Sequence, residues 1–363
     1  MTAQRDIETI SASTGLSLLP FATFRRLRAL AWHGDRLYAS QGYELRQILT
    51  GKGATEWLTI ARFRPAAWRC LTAKSRLASR LVRDGFHALA VLSSGHIAAA
   101  VPGAIVMLAP GDTEFRVSYG IKRGTRPLHI AATPRGHLFW GEYFDNPQRE
   151  EVHVYASVDG GSTWQVGYTF PKGTIRHVHN VVYDSREDCL WILTGDTGAE
   201  CRVLKATCDL RHVDVVLSGN QQARAVALLP ARDGVYFSSD TPFEKNHIYF
   251  LDRRGTLATV AALNGSSIYG CCVNDALFFS TMVEPSEVNR DRTVCVFGSL
   301  DGEYWHRALS WRTDTWPMRF FQYGNAFLPD GNNNSGLLAV STIAVANGDL
   351  VTGLWRVNSA GML

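Results

Sequence analysis

The sequence predicts an all-β chain folded as a seven-bladed β-propeller with four-stranded antiparallel blades. Three observations carry that expectation: a weak strand motif recurs seven times, long helical periodicity is nearly absent, and 363 residues give each copy room for four strands. The motif is a turn residue followed by a short apolar strand that ends in small or polar residues. Its copies are residues 35–40, 95–100, 136–141, 188–193, 234–238, 275–280 and 348–353, with a mean step of about 52 residues.

Each copy follows another strand-like run, at 27–32, 86–92, 127–133, 177–183, 223–229, 267–273 and 338–345. The spacing leaves room for two further, outer strands per unit, which is what a propeller blade requires. Residues 15–24 are expected to supply the last outer strand and close the ring, so that no sheet edge is left open. The only stretch that reads as a short helix or loop insertion lies around 69–83. The whole chain is thus expected to be one propeller domain.

Apolar residues make up 46% of the chain, enough for a sizeable core and too many for a disordered chain. The 37 Lys and Arg exceed the 33 Asp and Glu by only four, so no phosphate-tracking surface is implied and nucleic acid is not an expected partner. The longest apolar stretch, 97–108, is interrupted by Pro102 and Gly103 and is shorter than a spanning helix, so membrane insertion is not expected. The first residues lack the apolar run of a secretory signal, and a cytoplasmic location is expected. Seven Cys with no CxxC spacing read as buried thiols rather than as a zinc site or disulfide framework.

One motif is sharp: Ser157, Asp159, Gly161, Thr163 and Trp164 match S-x-D-x-G-x-T-W at every fixed position. Those residue types suit a tight hairpin between a blade's outer strands. Asp159 can accept from turn N–H groups, the glycines tolerate positive φ, and Trp164 packs beneath. A shortened copy, Ser299, Asp301, Gly302 and Trp305, follows close to three repeat steps later. The motif resembles the Asp-box (BNR repeat) of sialidase-like β-propellers, which implies fold rather than chemistry. Arg126, His129, Gly141 to Phe144, Arg176, His177, His179, Thr194 to Asp196, Gln221, Gln222, Arg224 and Asp240 to His247 together resemble a bacterial Asp-box propeller family associated with polysaccharide metabolism.

In a propeller the start of each inner strand lies on the same face as the end of the second strand. Counting from the apolar anchors places Arg28, His87, His129, His179, Arg224, Tyr269 and Ser341 at the first position and Glu44, Glu142, Asp196, Asp240 and Glu284 at the second. Such a ring suits a sugar pocket with acid–base groups, or a wet channel whose polar groups satisfy one another. The candidate catalytic residues are His129, His179, Tyr269, Glu142 and Asp196. The candidate substrate-binding residues are His87, His177, Arg224, Asp240, Glu244, Tyr143, Gln322 and Tyr323.

His177 and His179 are two apart, so on a strand both point to one face. The pair is compatible with a divalent metal completed by His129 or Glu142, with direct contact to substrate, or with a mutually satisfied core pair. It resembles the metal-bearing His set of propeller oligogalacturonate lyases, except that Thr174 stands where that family has Gln. No other cofactor is implied. The resemblance to uronate lyases implies His or Tyr for proton transfer and Arg for the carboxylate. Classical sialidase activity is not expected, because only Arg28 and Arg224 of the three arginines it needs fall in the channel set. The expected function is therefore an oligosaccharide- or polysaccharide-active enzyme, a lyase or a glycoside hydrolase with paired carboxylates. The alternative is a non-catalytic glycan- or protein-binding propeller.

Overall fold

The second strands of the blades are apolar along their whole length because both of their faces are covered by neighbouring blades. Ile97–Val101, Leu138–Gly141, Cys189–Thr194 and Ala276–Ser280 are buried at every residue. The outer strands have one solvated side and read less clearly: Gln165–Phe170 and Leu257–Ala262 are largely exposed or half-buried. A computed structural model describes residues 15–52, 56–82 and 84–359 of the chain, in which seven sheets form the seven blades.

Blade one consists of Arg28–Gly34, Arg36–Gln41, Glu44–Leu49 and Leu58–Arg62, from channel to rim. Blade two is Ala88–Val91, Ile97–Val101, Ala104–Leu108 and Arg116–Gly120, and blade three is Ala131–Ala132, Leu138–Gly141, Val152–Ser157 and Gln165–Phe170. Blade four is Val178–Asp184, Cys189–Thr194, Arg202–Thr207 and Val213–Ser218, and blade five is Ala225–Pro230, Gly234–Ser239, His247–Asp252 and Leu257–Ala262. Blade six is Tyr269–Val273, Ala276–Ser280, Thr293–Ser299 and His306–Arg312. The core lies between adjacent sheets, as where Leu30 and Leu45 of blade one meet Leu89 and Val106 of blade two.

Closure occurs where the sequence predicts it. Leu16–Arg25 pairs antiparallel with Val351–Ser359, from Leu16 opposite Ser359 to Arg25 opposite Val351. The register shifts between Pro20 and Ala22, consistent with a proline that has no N–H to donate. Leu16 and Leu18 from this strand are buried against Phe278 and Trp355.

The seventh blade differs from the expectation by one strand. Its inner strand is Asn325–Phe327, its second Leu337–Ile343 and its third Val351–Ser359. Residues 338–345 therefore belong to the second strand and its following turn, not to the channel strand, and 348–353 cover the end of a turn and the first residues of the third strand. Three residues are too short for a strand period to register. Between the first two strands of this blade the chain runs out to Asp330–Asn333, which pairs in parallel with Arg28–Gly34 and gives blade one a fifth strand on its channel side. Gly331 permits that approach: its φ is +90°, and a Cβ there would run into the Trp32 carbonyl.

The insertion between blades one and two forms two short helices, Ala67–Lys74 and Arg76–Val82. Arg80 is buried, pairs with Asp314, donates to the Gln322 carbonyl at 3.0 Å and lies 4.5 Å from the Trp316 ring. The helices thereby reach the segment that joins blades six and seven. The two Asp-containing turns both connect third and fourth strands. In the first, Asp159 accepts from the Thr163 N–H at 2.9 Å and the Thr163 hydroxyl at 2.6 Å, and Ser157 donates to it at 2.8 Å. The Trp164 indole donates to Ser118 at 2.8 Å on the neighbouring blade.

Candidate functional site

On the face where inner strands begin and second strands end, the channel opens into a cavity of about 1150 Å³. Arg28, His179 and Tyr269 reach it from inner strands and His87 and Arg224 from the residues just before them; Asp196, Asp240 and Glu284 come from the loops that follow second strands, and Glu44 from the start of blade one's third strand. Tyr143, Gln322 and Tyr323 line it from loops. The topology thus brings together most of the residues expected there.

Four expected members are not among the cavity-lining residues. Glu142 is buried in a structural ion pair: Arg123 grips both of its oxygens, with Nε 3.0 Å from Oε1, and the His153 N–H donates to Oε2 at 2.9 Å. His129 is tied through Nδ1 to Asp330 at 3.0 Å, on the segment that adds the fifth strand to blade one. Glu244 lies exposed in the loop 240–246, outside the cavity. His177 is not a lining residue either, but it packs behind His179. Its Nε2 is 3.1 Å from the Nε2 of His179, and its ring lies 4.3 Å from that of Tyr143.

Asp196 is where the cluster converges. Gly195, at φ +106°, directs it there, since any side chain at 195 would run into the backbone of Glu200 and Cys201. Its Oδ1 is 3.6 Å from His177 Nε2, 3.5 Å from His179 Nε2 and 3.4 Å from Arg224 Nη2, while its Oδ2 faces Arg176 Nη1 at 3.3 Å. Neither Glu142 nor His129 joins the histidine pair; Asp196 takes the third position. Burial holds the His179 ring below its ordinary pKa against the pull of Asp196, which favours the neutral imidazole.

Asp240 has the opposite character from an ordinary surface carboxylate. It is buried, its Oδ1 has no hydrogen-bond partner, and its Oδ2 is 3.8 Å from Arg224 Nη2. Burial pushes its pKa up to about 7; Arg224 opposes the rise, and the nearby Glu284 and Asp196 charges add to it. At neutral pH this carboxyl holds a proton for part of the time. Glu284, its neighbour in the cavity, accepts from the Ser266 hydroxyl at 3.1 Å.

Sequence reasoning missed several lining residues. Asn325 and Phe327 come from the short seventh inner strand, and Arg28 stacks 4.1 Å over the Phe327 ring. Cys70, Ala73 and Ser75 come from the helical insertion. The Gln322-Tyr323-Gly324 run just before the seventh inner strand was the available signal for the first group. Nothing in the local pattern announced the second.

No family model matches the chain, and no curated protein is similar to it in sequence. Solved structures are similar in fold. One from a mitotic checkpoint complex has 11% identity and a TM-score of 0.57, with 99% of this chain and 95% of that one covered. The WD40 β-propeller domain of Doa1 has 12% identity and a TM-score of 0.54, with 94% and 97% covered. A GH74 enzyme from Niastella koreensis has 15% identity and a TM-score of 0.57; the match covers 92% of this chain but only 53% of that longer one. At these identities the similarity establishes the propeller and nothing about its chemistry.

Proposed function

We propose that this protein is a carbohydrate-active enzyme that cleaves a glycosidic bond of an oligosaccharide held at the channel mouth, with Asp240 as the general acid. The observation that carries this reading is the environment of Asp240, a buried carboxyl whose proton is retained near neutral pH beside other cavity carboxylates. Two carboxyl groups in different protonation states are the minimum for glycoside hydrolysis: one donates a proton to the leaving oxygen, and the other stays ionised to activate water or attack the sugar. Glu284 is the second carboxylate.

The rest of the cavity fits a sugar. Tyr143, Tyr269 and Tyr323 bring aromatic rings to the cavity wall, while Arg224 and Asn325 supply polar groups. Arg224 stands between Asp196 and Asp240, so a carboxylate on the substrate would meet a fixed guanidinium there. Kinship with Asp-box propellers is supported by the hydrogen-bonded turns at Asp159 and Asp301. The GH74 enzyme is a precedent for the fold alone.

The test is turnover of a panel of neutral and uronate-containing oligosaccharides. Release of reducing ends, with Asp240→Asn and Glu284→Gln each lowering kcat by about 100-fold or more, is the expected result. Products that instead carry the ultraviolet absorbance of an unsaturated uronate would make the enzyme a lyase. Binding with no turnover would make it a recognition module.

A further inference from the structure

His177 and His179 pose a hydrogen-bonding problem that the acid pair does not address. The Nδ1 of His177 is 3.1 Å from the Phe144 carbonyl oxygen, and the Nδ1 of His179 is 2.9 Å from that of Ala225. A carbonyl oxygen can only accept, so both Nδ1 atoms carry hydrogen. In the neutral rings both Nε2 atoms are then acceptors, and they face each other at 3.1 Å. Asp196 Oδ1, a third acceptor, lies 3.6 and 3.5 Å from them. Three lone-pair donors to a cation converge with no hydrogen between them. Both rings are almost fully buried, so few other groups can relieve the repulsion.

We infer that His177 Nε2, His179 Nε2 and Asp196 Oδ1 form a binding site for a divalent transition-metal ion. The three atoms define a triangle whose corners are all about 2.0 Å from a common centre, given its sides of 3.1, 3.5 and 3.6 Å. That is the bond length of about 2.0–2.2 Å expected for zinc on imidazole and carboxylate, so an ion fits without moving a side chain. A proton shared by the two rings would satisfy their contact with each other and leave Asp196 Oδ1 paired with Arg224 alone, at 3.4 Å; zinc binding distinguishes the two arrangements.

The surroundings match those of a ligand set. Each imidazole is fixed in its metal-ligating tautomer by a backbone carbonyl, and Arg176 orients the carboxylate through its other oxygen at 3.3 Å. His179, Asp196 and Tyr143 line the cavity, so a fourth coordination position opens toward the ligand space, as in catalytic rather than structural zinc sites. Arg176 and Arg224 both press on Asp196, which leaves little net negative charge to hold a hard ion. The two imidazoles therefore favour zinc, nickel or copper over magnesium or calcium. The site stands apart from the Asp240 assignment and is tested without any sugar.

Zinc titrated calorimetrically into chelator-treated full-length protein should bind at one equivalent, with magnesium giving no heat. His177→Gln and Asp196→Asn should each weaken zinc binding by more than the roughly 10–100-fold that outer-sphere changes cost. Cobalt(II) loaded into the unaltered protein should give visible bands of a low-coordinate nitrogen–oxygen site, without thiolate charge transfer; this reading holds even where a variant fails to fold. Absence of zinc binding, binding unchanged in both variants, or a thiolate spectrum would overturn the proposal.

Discussion

Asparagine in place of Asp240 removes a charge that folding has to desolvate, and the structure sets the size of the effect. An ordinary aspartate near 3.8 is moved to about 7 in the folded chain, a difference that corresponds to about 4 kcal/mol as an order of magnitude. The sign follows from proton binding. Between pH 4 and 7 the folded state keeps a proton on Asp240 that the unfolded state has released, so stability falls as pH rises through that window and levels off above it. The Asn variant cannot ionise and escapes the loss. It should be more stable than the unaltered protein at pH 8 and gain distinctly less at pH 5, as read by urea unfolding at both values. With Asp240 as the proposed general acid, kcat should also decline above about pH 7 and fall about 100-fold or more in the variant. A gain of equal size at both pH values, or none at pH 8, would mean that Asp240 titrates as an ordinary carboxylate, and its role as the acid would fall with it.

Two further perturbations test the architecture around the cavity. Gly331→Ala places a Cβ against the Trp32 carbonyl at a positive φ, and should lower stability by about 1–3 kcal/mol while freeing His129 from Asp330, visible as a shift of the His129 ring resonances. Removal of residues 1–26 exposes the Val351–Ser359 edge and uncovers the Leu16 and Leu18 pocket beside Trp355. The shortened chain should elute as aggregates in size-exclusion chromatography, and a peptide of residues 15–26 should restore the elution volume of the intact protein.

The blades were legible because their second strands are covered on both faces and must be apolar throughout, a pattern that survives in Ile97–Val101 and Cys189–Thr194 without help from the rest of the chain. The closing strand was legible because an apolar run at 15–24 lay outside the repeat and a ring needs one more outer strand. The seventh blade was misread by one strand because Asn325–Phe327 is too short to show a period, while Leu337–Ile343 looks like the inner run it displaced.

At the site, the same counting rule succeeded for Asp196 and Asp240 and failed for Glu142, since an equivalent position in the repeat does not fix where a side chain turns. Arg123, 19 residues before Glu142, draws that carboxylate into an ion pair. His129 met a partner 201 residues away, Asp330, on a segment with no counterpart in other blades. Residue order alone therefore determined the seven-fold repeat, its closure and the types of group that gather at one mouth of the channel. Which carboxyl keeps its proton, and which three acceptors face one another, was decided only by the folded chain, because burial and the approach of distant charges arise when the ring is shut.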